Sequence, residues 1–261
     1  MRVAPLGRRL LAEFVGSLLL ASVVVGSGIA AQRLSPGDVG LQLLENAAAT
    51  AVGLFAVILM VGPVSGAHVN PVVTAVDALF GGLSRRDGAG YVVAQVAGCC
   101  AGAVLANVMF GVGAVSVSGT HRMSGRHWLA EVVATAGLVL VIFALTRSGR
   151  GATAPAAVGA YIGAAYFFTS SASFANPAIT IGRTLTDTFA GIAPASVPGY
   201  VSAQVVGGGV GWLLVRVLYP QITAAQAAQA VLPHPTDPVT ATGPGGLSNS
   251  PAVELWSGGA R

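Results

Sequence analysis

Two stretches decide the fold: Ser65-Gly66-Ala67-His68-Val69-Asn70-Pro71-Val72-Val73-Thr74 and Ser173-Phe174-Ala175-Asn176-Pro177-Ala178-Ile179-Thr180. Asn is a favoured helix N-cap, and Pro suits the first helical position, where a missing N–H costs nothing. Each Asn-Pro pair therefore starts a helix. The segments that carry them, 63–83 and 172–190, are too apolar for water-exposed loops and too short to cross a bilayer. Such segments fold back as re-entrant half-helices, tolerated at membrane depth only when buried in protein or lining a wet cavity.

Six longer apolar runs surround them, at 10–31, 42–62, 88–112, 128–146, 154–171 and 197–219. The composition agrees. Of 261 residues, 54% are hydrophobic and 8% charged, against about 25% charged in soluble domains, so the chain cannot cover a water-facing surface. Its 36 glycines suit closely packed transmembrane helices. The first run follows Arg8 and Arg9 like a secretory signal, but its length and the internal Glu13 favour an uncleaved span. The fold expected is an all-α membrane protein of six transmembrane helices and two re-entrant half-helices.

All 13 basic residues are arginine, scattered near the ends of the runs. They read as topology signals rather than a nucleic-acid surface. With the N-terminus inside, Arg2, Arg8, Arg9, Arg85, Arg86, Arg147, Arg150 and Arg216 are cytoplasmic, while Arg33, Arg122, Arg126 and Arg183 lie outside. Both termini are thus expected in the cytoplasm, with the chain in the cell (inner) membrane. Residues 220–261 turn to Ala, Thr, Pro and Gly, as in a disordered cytoplasmic tail. Cys99 and Cys100, about 100° apart on a helix, read as packing residues rather than a disulfide or a chelating pair. No nucleophile–base pair, phosphate loop or metal-ligand cluster stands out, so neither enzyme chemistry, a cofactor nor a metal is expected.

The chain repeats itself. Leu11-Ala12-Glu13 opens the first span and Leu129-Ala130-Glu131 the fourth; the Asn-Pro segments follow in matching order; Gln95-Val96-Ala97-Gly98 returns as Gln204-Val205-Val206-Gly207. The repeats run over about 8–112 and 128–219 of a 1–219 channel unit. Three crossings per repeat turn the second one upside down, and inverted repeats place a shared site near the midplane. The positive ends of two half-helices then meet there, raising a barrier to cations while neutral hydroxyl compounds pass. Glu13 and Glu131, at equivalent positions, read as acceptors for loop N–H groups that no helix satisfies. A proton-coupled transporter, which also uses inverted repeats, is the competing class, and the few intramembrane charges leave it few coupling sites.

With these residues in place, the sequence resembles the aquaporin or major intrinsic protein family over about residues 8–219. Ser65-Gly66-Ala67-His68-Val69-Asn70-Pro71 is similar to the family's first signature and Asn176-Pro177-Ala178 to its second. The resemblance implies an aquaporin-like hourglass, a pore in each protomer, a homotetramer in the lipid bilayer, and small neutral solutes as cargo. It implies a central constriction of Asn70, Pro71, Val72, Asn176, Pro177 and Ala178, with Val72 where the family usually has Ala. Offsets from the two Asn residues place the outer selectivity filter at Thr50, Ala164, Ser173 and Ile179. Ile179 stands where relatives usually carry Arg, and the set contains no aromatic, so a wide, weakly polar ring is expected. The run from Ser173 to Ile192 resembles a bacterial branch associated with arsenic resistance, which implies passage of arsenite (arsenous acid), an uncharged trihydroxyl molecule about the size of glycerol. A water or glycerol facilitator without an arsenic role is the alternative.

Arg183 lies four residues beyond Ile179 on the same helix face, about 6 Å nearer the outer mouth. It is expected to serve as a displaced outer charge held by Asp187, the alternative being an ordinary surface ion pair. Asp77 is its repeat counterpart at the inner mouth. His68 lines the inner pore and suits either titration or packing there. His121, Arg122, Arg126 and His127 read as a solvated basic patch.

Overall fold

The computed structural model describes residues 4–220, which are helical with no strand among them. Eight helices follow one another: α1 (Leu6–Leu34), α2 (Val39–Ser65), α3 (Pro71–Phe80), α4 (Arg85–Met109), α5 (Gly125–Arg147), α6 (Ala154–Phe168), α7 (Pro177–Gly182) and α8 (Val197–Leu218). The expected tail lies outside the described residues, apart from Pro220.

The six expected spans correspond to α1, α2, α4, α5, α6 and α8, with three differences. First, α2 continues through Pro63 to Ser65, so the first re-entrant segment starts later than residue 63. The helix stops where Gly66 takes φ 89°, a left-handed turn that glycine adopts without penalty. Second, α6 has 15 residues, about 22 Å of helix, and five other helices are long and apolar enough to cross a membrane. It ends at Thr169, whose hydroxyl donates to the Ala165 carbonyl at 2.6 Å, a local bond that competes with continuing the helix. Third, the second half-helix is brief: α7 tightens into a single turn over Arg183–Leu185, and the chain then runs as a loop to residue 193.

Within each repeat the outer helices pack through small residues at equivalent places. Gly98 and Gly102 of α4 lie against the Phe14 and Leu18 carbonyls of α1, so a Cβ at either would clash with backbone. Gly207 and Gly211 of α8 meet α5 in the same way, where a Cβ would come 2.5 Å from Val132 O and 2.8 Å from Ala136 O. Such contacts bring backbones together where van der Waals packing, not the hydrophobic effect, holds helices in lipid. Cys99 belongs to this packing, fully buried against Gly182 of α7.

Candidate functional site: the conduit between the half-helices

The two half-helices meet end to end. Asn70 caps α3, its side-chain oxygen accepting from Val72 N at 2.9 Å, and Asn176 caps α7 by accepting from Ala178 N at 2.9 Å. Each side-chain amide also reaches across the repeat. Asn70 Nδ2 donates to Ala175 O and Asn176 Nδ2 donates to Val69 O, both at 2.8 Å. One amide hydrogen of each Asn is thereby spent on fixing the junction, and the second is left for the lumen.

The approach to each cap is an unusual backbone, repeated. Gly66, Ala67 and Val69 have φ of 89°, 49° and 40°, while Ala172, Ser173 and Ala175 have 57°, 43° and 48°. These occupy the same three places before their Asn. Left-handed φ costs non-glycine residues on the order of 1 kcal/mol each, so something must hold the loops. The two glutamates do. Glu13 accepts from His68 N at 3.0 Å and Val69 N at 2.7 Å; Glu131 accepts from Phe174 N at 2.9 Å and Ala175 N at 2.8 Å. Gln95 and Gln204 each donate to their glutamate at 2.7 Å and to Thr74 or Thr180 at 2.9 Å. Thr74 and Thr180 in turn donate to the carbonyls of Asn70 and Asn176. Both glutamates are wholly buried.

The repeats diverge in one contact, between the residue two before each Asn and the residue seven after it. In the first, His68 Nε2 lies 3.7 Å from Asp77 Oδ2. In the second, the Arg183 guanidinium stands 3.5 Å over the Phe174 ring. An imidazole–carboxylate pair at one mouth thus corresponds to an arginine–aromatic pair at the other.

Between them runs a narrow conduit of about 50 Å³, lined in part by Thr50, His68, Asn70, Ser173, Asn176 and Ile179. Its other walls are stripes at four-residue spacing: Leu20 and Val24 on α1, Leu54 and Ile58 following Thr50 on α2, Leu138 and Ile142 on α5, and Val158, Ile162 and Tyr166 on α6. Most of the wall is aliphatic, and its hydroxyls gather towards the Arg183 end, where Thr50 Oγ1 and Tyr166 Oη lie 3.2 Å apart. Pro71, Val72, Pro177 and Ala178 stand behind the caps, with Val72 and Ala178 buried.

Three expectations are corrected. Ala164 is exposed and faces away from the conduit. The α6 lining positions are Val158, Ile162 and Tyr166, and Ala164, two residues from each of the last two, lies about 200° round the helix from them. Tyr166 occupies the lining instead, and with Phe174 and Arg183 it supplies aromatic and charged groups that the expected ring lacked. Asp187 does not hold Arg183. The helical turn ends at Leu185, Asp187 accepts from Gly119 N at 3.1 Å, and Arg183 Nε donates to the Ala190 carbonyl. Arg183 is accordingly buried against the conduit, not on a helix surface. Arg122 is half-buried and bonded to the 189–191 turn rather than solvated. The signal for Tyr166 was present as the Val158, Ile162, Tyr166 stripe; nothing local marked Arg122.

The chain is similar to known proteins. The family described as Major intrinsic protein matches residues 1–175. Aquaglyceroporin AqpS of Rhizobium meliloti (strain 1021) is 47% identical over 218 residues, 84% of this chain and 93% of that protein. The probable aquaporin TIP2-2 of Oryza sativa subsp. japonica is 31% identical over 227 residues, covering 80% and 86% respectively. The solved aquaglyceroporin from Plasmodium falciparum superposes with a TM-score of 0.61 over 83% of this chain and 98% of its own, and at 18% identity it speaks for the fold alone. With its capped half-helices, paired glutamates and apolar helices, the chain belongs to the major intrinsic protein family, the aquaporins, as a multi-pass membrane channel for small neutral solutes and not an enzyme.

Proposed function

We propose that this channel conducts small uncharged hydroxyl compounds passively, with arsenous acid and glycerol as its cargo. The observation that carries the reading is Ile179: the lining position three residues after Asn176 bears an aliphatic side chain in place of a fixed guanidinium. A solute there meets methyl groups on one side and the Thr50, Tyr166 and Ser173 hydroxyls on the other. Ser173 Oγ is buried without a hydrogen-bond partner, so a passing hydroxyl gives it one. A trihydroxyl molecule replaces its water at these groups, while an ion finds no counter-charge at the midplane, where two half-helix N-termini face it.

The identity to Aquaglyceroporin AqpS favours glycerol as the second reading. Under either, Asn70 and Asn176 face the central constriction with Pro71, Val72, Pro177 and Ala178 packed behind them, His68 forms the inner lining, and Arg183 is an outer charge one helical turn above Ile179. The unit spans residues 1–219 in two repeats, four copies assemble in the cell's inner membrane, and both termini face the cytoplasm. The test is solute influx into liposomes carrying the protein. Arsenous acid and glycerol entering well above the rate of protein-free vesicles supports the proposal; glycerol alone leaves the second reading; neither overturns both.

A further inference from the structure

The outer end of the conduit is braced by a second arginine. Arg122, in the segment joining α4 to α5, donates from Nε to the Gly191 carbonyl at 3.2 Å and from its backbone N to Ser196 Oγ at 2.9 Å. Its guanidinium lies 5.5 Å from the centre of the Phe174 ring. Arg183 bonds the preceding carbonyl, Ala190, and stands over the same ring. Two guanidinium groups therefore grip consecutive carbonyls of one turn and share one aromatic side chain that lines the conduit. The turn is closed from its other sides as well: Ile192 N donates to Arg183 O at 3.3 Å, and Ala190 is wholly buried beside Gly28 of α1. Among the described residues neither arginine forms an ion pair, so no carboxylate competes for their orientation.

We propose that Arg122 is a positioning residue for selectivity at the outer mouth. By holding Gly191 it fixes the 189–191 turn, and with it the Ala190 carbonyl that orients the Arg183 side chain along the conduit. Arg183 makes no other hydrogen bond through its side chain to the described residues, so the placement of its charge depends on that one acceptor and on Phe174. If the turn loosens, the charge moves off the path and the barrier to cations falls. The inference rests on the reading of Arg183 as an outer charge.

The experiment compares urea with guanidinium, a neutral molecule and a cation of nearly the same planar shape, as solutes for proteoliposomes of wild type, Arg122→Ala, Arg183→Ala and the double variant. The guanidinium-to-urea permeability ratio reads charge rejection at constant size. It is expected to rise about fivefold or more in Arg122→Ala and at least as far in Arg183→Ala. The double variant is expected to match Arg183→Ala alone, because a residue acting through another adds nothing once that other is gone. A ratio unchanged in Arg122→Ala but raised in Arg183→Ala overturns the positioning role and leaves the outer charge standing. A ratio unchanged in Arg183→Ala overturns the outer charge and this inference with it. Effects that simply add also overturn it, since Arg122 would then act on the solute independently. Should Arg122→Ala fail to assemble, Arg122→Lys keeps the charge without the planar fork; the ratio is again expected to rise, and a wild-type value contradicts the proposal.

Discussion

Glu131 holds the second re-entrant loop through the N–H groups of Phe174 and Ala175, in a stretch where Ala172, Ser173 and Ala175 are left-handed. Replacing it by Ala leaves both donors buried without an acceptor, at about 1–3 kcal/mol each. Glu131→Ala should therefore lower the unfolding temperature in detergent markedly, with Glu131→Gln, which keeps an acceptor, falling between it and wild type. The glutamates were legible because they recur at one place in two repeats, and so were the Asn-Pro caps. Tyr166 was legible only through its four-residue spacing from Val158 and Ile162, which a fixed offset from Asn176 passes over. Arg122 depends on which distant turn the loop lies against, and neither spacing nor composition carries that information.

At the scale of elements, hydropathy located α1, α2, α4, α5, α6 and α8, and the Asn-Pro pairs located both half-helices, whereas their ends follow local bonding. Helix α2 outlasts Pro63 and stops at a left-handed glycine, and α6 stops where a threonine hydroxyl turns back on its own helix. Helix pairing rests on glycine. Gly102 of α4 lies so close to the Leu18 carbonyl that any side chain must push α1 and α4 apart, and Gly207 of α8 lies close to the Val132 carbonyl of α5. Gly102→Val and Gly207→Val should each cost roughly 1–3 kcal/mol by overpacking and reduce the yield of monodisperse protein in size-exclusion chromatography. Gly125→Ala, where a Cβ meets nothing within 4 Å, should leave that yield unchanged.

For the whole molecule, the low charge of the sequence takes on a position as well as a number. Glu13 and Glu131 are consumed by loop hydrogen bonds, Asp77 faces His68, and Arg183 alone of the four lies against the conduit. Among the described residues no carboxylate lines the conduit to carry a coupled proton, so solute flux should follow the solute gradient and be insensitive to a protonophore. The sharpest test is Ile179→Arg, compared with wild type in liposomes for glycerol and water. If the aliphatic side chain at this position is what admits hydroxyl solutes, the substitution lowers glycerol permeability by about tenfold or more, a barrier of roughly 1.4 kcal/mol, while water still enters. Glycerol permeability equal in the two proteins would contradict the account.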